Sequence, residues 1–247
     1  NSISLFNHSL QVTEDNYLAR NNRGIAYAKA GQYEPAIEDY NAAIRLNPHF
    51  DAYNNRGSAY AKTGEYQRAI GDYNKAIELN RNYTDAYSNR GTVFLKLNQY
   101  QLSVDDFSNA IRLDPDNAIT YKNRGNAYFE LGQYQQAIED YDNALRLKPD
   151  FVTTYNNRGN AYSELGQHQR ALADYREAIR LNPDDFVPYY NAACCLSIQK
   201  KSDEACHFLH RAVVEGFDNV TQLKKDSDFD NIRNSACFID LVKQLER

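Results

Sequence analysis

The chain has 247 residues, a formal net charge of −5 and 42% hydrophobic residues. Acidity argues against nucleic acid, which needs a basic stripe to meet phosphates. No apolar run reaches membrane-spanning length, and no signal-peptide pattern opens the chain. It starts at Asn1 and contains no methionine, so it is expected to be an excised piece of a longer chain.

Self-similarity appears at once. The stretch SISLFNHSLQVTEDN aligns without a gap on residues 36–50, with Ile3 over Ile37, Phe6 over Tyr40 and Leu10 over Ile44. Residues 1–16 therefore read as the second helix of a truncated repeat. Six repeats follow, at roughly 17–50, 51–84, 85–117, 118–151, 152–185 and 186–218, a period that marks a stacked array. Within each copy, apolar residues recur at three- and four-residue spacing on two arms. The arms meet at a glycine such as Gly132, suited to a left-handed helix end, and Asn98 takes that place in the third copy. Pro48, Pro115, Pro149 and Pro183 close second helices. The sixth copy decays, with Ala193 for the repeat glycine, Lys200 for the turn glycine and Phe217 for the closing proline. Residues 219–247 read as capping helices over 220–225 and 235–246, with Phe229, Ile232, Phe238, Leu241 and Leu245 covering the end of the stack.

The pattern Tyr-x-x-Arg-Gly-x-x-Tyr, then Gly-x-Tyr-x-x-Ala, Tyr-x-x-Ala and Pro resembles the tetratricopeptide repeat (TPR), in a bacterial Asn-Arg-Gly form. Tyr53, Tyr87, Tyr121, Tyr155 and Tyr189 stand where the family usually has Trp, and Arg20 does in the first copy. The resemblance implies an all-α, right-handed superhelical solenoid of helix-turn-helix repeats with C-terminal capping helices. Residues 1–247 would form a single array. First helices would line a concave groove.

Two repeated positions stand out. Two residues before the repeat glycine lies Asn22, Asn55, Asn89, Asn123, Asn157 and Asn191. Asparagine is a mediocre helix former, so its presence in every copy needs a reason. It either bonds across to the next repeat or forms an amide ladder that grips a peptide backbone. The superhelix of the O-linked N-acetylglucosamine transferase looks similar here. Just before the glycine stand Arg23, Arg56, Arg90, Arg124 and Arg158, and sixteen residues later Asp39, Asp72, Asp106, Asp140 and Asp174. Both vanish together in the sixth copy, into Ala192 and Phe208, which predicts structural Arg–carboxylate pairs within hairpins.

The rest of the expected groove is polar. Asn21, Asn54, Ser88, Lys122 and Asn156 precede the Asn row, and Asn126 and Asn160 sit one turn on. Lys29, Lys62 and Lys96 form a basic edge, followed by Glu130 and Glu164. TPR modules that clamp the C-terminal carboxylate of chaperones use cations at positions that are here Asp, Asn or aliphatic, which argues against that ligand.

Chemistry is sparse. Cys194, Cys195, Cys206 and Cys237 are read as mostly reduced packing thiols, which favours the cytoplasm. Cys206, His207 and His210 lack closed-site metal spacing, so no metal or other cofactor is expected. No phosphate loop, nucleophile elbow or paired-carboxylate motif is present, so no enzyme is expected. The leading reading is a non-catalytic protein–protein interaction scaffold that holds an extended peptide in the groove. The site set is Asn22, Asn55, Asn89, Asn123, Asn157, Asn191, Asn126, Asn160 and Lys122. Two alternatives stand beside it: the substrate-recognition arm of a larger enzyme such as a membrane glycosyltransferase, and a self-association module using the apolar face of the first helix (Ile3, Phe6, Leu10).

Overall fold

A computed structural model describes residues 16–246. The expected helix over 1–16, with its apolar face at Ile3, Phe6 and Leu10, lies outside the described residues. Among those described there are helices and no strands. Contacts group the chain into two compact units, residues 1–127 and 128–247.

The first unit contains α1 (Tyr17–Lys29), α2 (Tyr33–Leu46), α3 (Phe50–Lys62), α4 (Tyr66–Leu79), α5 (Thr84–Lys96), α6 (Tyr100–Leu113) and most of α7 (Ala118–Glu130). Helices α1 and α2, α3 and α4, and α5 and α6 pair as hairpins, and α2 on α3 and α4 on α5 join successive pairs. Each hairpin turns through a left-handed residue: Gly31 at φ 75°, Gly64 at φ 84° and Asn98 at φ 58°. Asparagine tolerates that conformation better than other side chains do. Second helices end in an extended residue. Asn47 before Pro48 has φ −150°, yet Asn80 has φ −143° with Arg81 following. Proline enforces this stop where it is present, and at Asn80 the side-chain oxygen accepts from the Asn82 backbone N–H at 3.0 Å in a local turn.

The repeat glycine is set by contact. A Cβ on Gly24 would lie 2.6 Å from Cε1 of Tyr40, and one on Gly57 2.9 Å from Cε1 of Tyr73. The rings of Tyr40 and Tyr73 are fully buried and press on the first helix at the one residue without a side chain.

The second unit contains α8 (Tyr134–Leu147), α9 (Val152–Glu164), α10 (His168–Leu181), α11 (Phe186–Ile198), α12 (Ser202–Val214), α13 (Val220–Lys225), a 3₁₀ turn (Ser227–Phe229) and α14 (Ala236–Leu245). Gly159 repeats the contact, with Tyr175 2.6 Å from the position of its missing Cβ. In the last hairpin Ala193 replaces the glycine and Leu209 replaces the ring; both are buried. Lys200 carries the turn at φ 62°. Phe229, Ile232, Phe238 and Leu241 are buried in one cluster with Tyr189, Tyr190, Leu196 and Leu209, and Leu245 packs against its edge.

The cysteine expectation needs correction. Cys206 and Cys237 form a disulfide, with Cα atoms 6.2 Å apart. The folding-back of α14 onto α12 brings the two together, a proximity that spacing in sequence does not show. Cys206 and Cys237 are therefore not reduced packing thiols, and the compartment reading loses that support. Cys194 and Cys195 are free and buried. No described helix is long and apolar enough to cross a membrane.

Candidate functional site: the polar face of the first helices

In the hairpins of Arg23, Arg56, Arg90 and Arg158 the Arg–Asp positions come together. Arg23 donates from Nε and Nη2 to the two carboxylate oxygens of Asp39, at 2.7 and 2.6 Å. Arg56 does the same to Asp72, Arg90 to Asp106 and Arg158 to Asp174, each at 2.8 and 2.6 Å. The aspartates are buried. Hydrogen bonding to Asp39 holds the Arg23 guanidinium above its ordinary pKa, and hydrogen bonding to Asp72 does so for Arg56. Burial pushes the Asp106 and Asp174 carboxyls up, while Arg90 and Arg158 pull them back. Each guanidinium also lies beside aromatic rings of its own helix. Arg56 is 5.5 Å from the Tyr53 centroid and 5.9 Å from that of Tyr60, and Arg158 is 5.6 and 5.9 Å from Tyr155 and Tyr162. The tyrosines at the family's Trp position thus flank the arginine one turn away.

A third partner was missed from sequence. Arg56 donates from Nη1 to Asn41 of the preceding repeat, Arg90 to Asn74, Arg124 to Ser108 and Arg158 to Asp142. The arginine therefore ties its own hairpin to the one before. The signal was present in sequence. An acceptor stands two residues after the aspartate in each copy that precedes an arginine. Arg176, a donor, stands there before the copy with Ala192.

The Asn row lies on the same helices, half-buried except for exposed Asn22. Asn55 donates to Asn21 Oδ1 at 3.2 Å, Asn89 to Asn54 Oδ1 at 3.0 Å and Asn191 to Asn156 Oδ1 at 3.0 Å. Each acceptor is the residue before the row in the preceding repeat, so these amides bridge successive first helices. The Oδ1 atoms of Asn55, Asn89 and Asn191 accept no bond among the described residues. Asn123 and Asn157 hold the equivalent half-buried places on α7 and α9. Asn160 is engaged, accepting from Tyr175 Oη at 2.9 Å and from Asn191 at 3.1 Å. Asn126 is half-buried on α7. Lys122, also on α7, is half-buried, and burial lowers its pKa.

One group of metal-type ligands converges. Cys194 Sγ and the carboxylates of Asp226 and Asp228 lie within 4.8 Å of one another. Asp226, however, accepts from Tyr190 Oη at 2.6 Å and from the Asp228 backbone N–H at 3.0 Å, which caps the 3₁₀ turn. Burial pushes the Cys194 thiol up, away from the thiolate a metal needs. The cluster is a polar joint between α11 and the C-terminal segment, with three ligands where a closed zinc site takes four.

Comparison with known proteins bears on the fold and the family. A family model described as TPR repeat matches residues 91–132 and 125–166, and models described as tetratricopeptide repeat match 21–87, 152–185 and 174–207. No curated protein sequence matches the chain. Among solved structures, MamA is 25% identical over 65% of this chain and 94% of its own, with a TM-score of 0.62. YrrB, described as a TPR protein with an unusual peptide-binding site, is 21% identical over 74% of this chain and 95% of its own, with a TM-score of 0.64. The C-terminal part of a TPR repeat-containing protein from Cytophaga hutchinsonii is 19% identical over 87% and 89%, with a TM-score of 0.71.

Proposed function

Because the chain belongs to the tetratricopeptide repeat family, we propose that it is a non-catalytic protein-interaction scaffold that takes an extended peptide segment along its first helices. The observation that carries this reading is the state of the Asn row. Asn55, Asn89 and Asn191 each turn their N–H side to the preceding repeat and keep an amide oxygen without a protein donor. The packing bond fixes the side chain, and the oxygen can accept from a backbone N–H of a ligand. The packing and binding readings of this row are then compatible. A fixed amide costs less rotamer entropy on binding than a mobile one. One acceptor per repeat matches a ligand whose own repeating donor is the peptide bond. In the first unit Asn22 and Asn123 belong to the same set, with Asn126 and Lys122 beside them; in the second, Asn157 and Asn160 join Asn191.

The test separates the two duties. An array of neutral, N-acetylated, C-amidated dodecapeptides serves as probe. Asn54→Ala removes the acceptor of the packing bond and leaves the Asn89 oxygen in place. Asn89→Ala with Asn123→Ala and Asn157→Ala removes the row itself. The proposal expects the triple variant to lose peptide binding while Asn54→Ala keeps it, at similar melting temperatures. Equal binding by both variants would overturn it.

A further inference from the structure

The last residue of the first five first helices, unlike Ile198 of α11, is charged and changes sign along the chain. It is Lys29 in α1, Lys62 in α3 and Lys96 in α5, then Glu130 in α7 and Glu164 in α9. A cation there complements the negative end of the helix dipole, and an anion opposes it. Helix stability alone therefore does not choose this residue, because two of the five copies run against it. In the second unit the charge is felt locally: the negative charges of Glu164 and Glu130 push the Tyr134 phenol up.

In the first unit two of these lysines, Lys29 and Lys62, border a cleft of about 270 Å³ among α1, α2 and α3. Ile25 and Ala28 form an apolar wall, and Asn55 and Ser58 a polar one. Lys29 and Lys62 are exposed and also line the cleft, and no carboxylate does. Neither lysine makes an ion pair among the described residues; the nearby guanidinium of Arg56, by contrast, is neutralised by Asp72. The volume is below the roughly 300–1,000 Å³ of small-molecule sites and suits a side chain or two of a polymer. The cleft also contains Asn55, a member of the row assigned to the ligand backbone.

We propose that this cleft selects an internal aspartate or glutamate of the bound segment, with its carboxylate between Lys29 and Lys62 and a small apolar neighbour against Ile25 and Ala28. The inference rests on the peptide-binding reading above and adds the chemistry of the partner: an acidic residue within an extended, otherwise neutral segment. Two unpaired cations beside an apolar wall, in a chain of net charge −5, make the cleft a local exception in charge. The attraction is that of exposed pairs, so it governs selection more than total affinity, and salt weakens it.

The same array tests it, with Glu, Gln or Lys at the centre of each dodecapeptide. Amidated C-termini remove any contribution from a terminal carboxylate. Glu peptides are expected to bind about fivefold to tenfold tighter than their Gln counterparts at low salt, the range of one or two exposed charge pairs. Lys29→Gln with Lys62→Gln should abolish that preference, and Lys29→Glu with Lys62→Glu should move it to Lys peptides. Both positions are exposed, so the variants should stay folded, with the Glu pair losing only the small helix-dipole contribution. If peptides bind with no preference for Glu, or the preference survives in the Gln variant, this inference is wrong and the peptide-binding reading stands. If no peptide binds the unaltered protein, the peptide-binding reading fails and this inference with it.

Discussion

The hairpin of α3 and α4 and the hairpin of α11 and α12 answer the same problem with different chemistry. In the first, Arg56 and Asp72 meet in a two-pronged ion pair, and Gly57 admits the Tyr73 ring. In the second, all four positions change, to Ala192, Phe208, Ala193 and Leu209. Phe208 packs 6.4 Å from the Tyr189 ring, and Leu209 is buried in a cluster that continues into the capping segment. The arginine of a regular repeat also has a neighbour to hold, as Arg56 holds Asn41. Ala192 has no such duty, and Arg176 stands where an acceptor would. A polar latch thus belongs to repeats that must align with the repeat before them, and an apolar joint to the one that carries the cap. Buried ion pairs add little net stability over an apolar replacement but fix geometry, which is what a regular array requires.

The largest effect expected is on the capped end. Cys206→Ser opens a crosslink spanning 31 residues and should destabilise the α11–α12 region by about 3.5 kcal/mol in the chain-entropy account. Hydrogen exchange should show this loss near α12 and α14 and no change in α1 and α2, because repeat arrays unfold locally. Next, Asp72→Ala leaves a half-buried guanidinium without its carboxylate and should cost about 3 kcal/mol by denaturant unfolding. Arg56→Ala with Asp72→Phe copies the last hairpin and should come within about 1 kcal/mol of the unaltered protein. A double variant no better than the single would break the comparison. Third, Gly24→Ala places a Cβ against the buried Tyr40 ring and should cost about 2 kcal/mol. Adding Tyr40→Leu, the Ala–Leu combination of the last hairpin, should recover part of that loss.

The smallest effect is alkaline. Burial raises the Tyr73 phenol from 10.0 to about 12. The folded value lies above the unfolded one, so the contribution is full below pH 10 and lost as pH climbs through about 12. Tyr73 is expected to contribute about 2 kcal/mol to the decline over that window, and Tyr73→Phe should remove that share while Tyr40, Tyr83, Tyr141 and Tyr175, whose phenols burial also raises, keep theirs.

Much of this arrangement was legible in sequence, and the limit is physical. The hairpin turns were readable because Gly64 and Asn98 answer a local backbone demand. The Arg–Asp positions were readable because they appear and disappear together. Contacts between repeats were harder. The Asn row offered two readings because an amide can pack and bind at once, and only the placement of Asn54 and Asn156 shows which N–H is engaged. The tie from Arg90 to Asn74 needed the geometry of neighbouring hairpins before its sequence signal had meaning. Cys206 and Cys237 come together only through the path of the C-terminal segment, which no local rule encodes.

The central claim is that the Asn row meets the ligand while the arginines hold the scaffold. Side-chain resonances test it directly. With a peptide selected from the array, the side-chain amide signals of Asn55, Asn89, Asn123 and Asn157 are predicted to shift on titration, and the Nε–H signals of Arg56, Arg90 and Arg158 to stay in place. Shifts in the arginine signals with a silent Asn row would contradict the account.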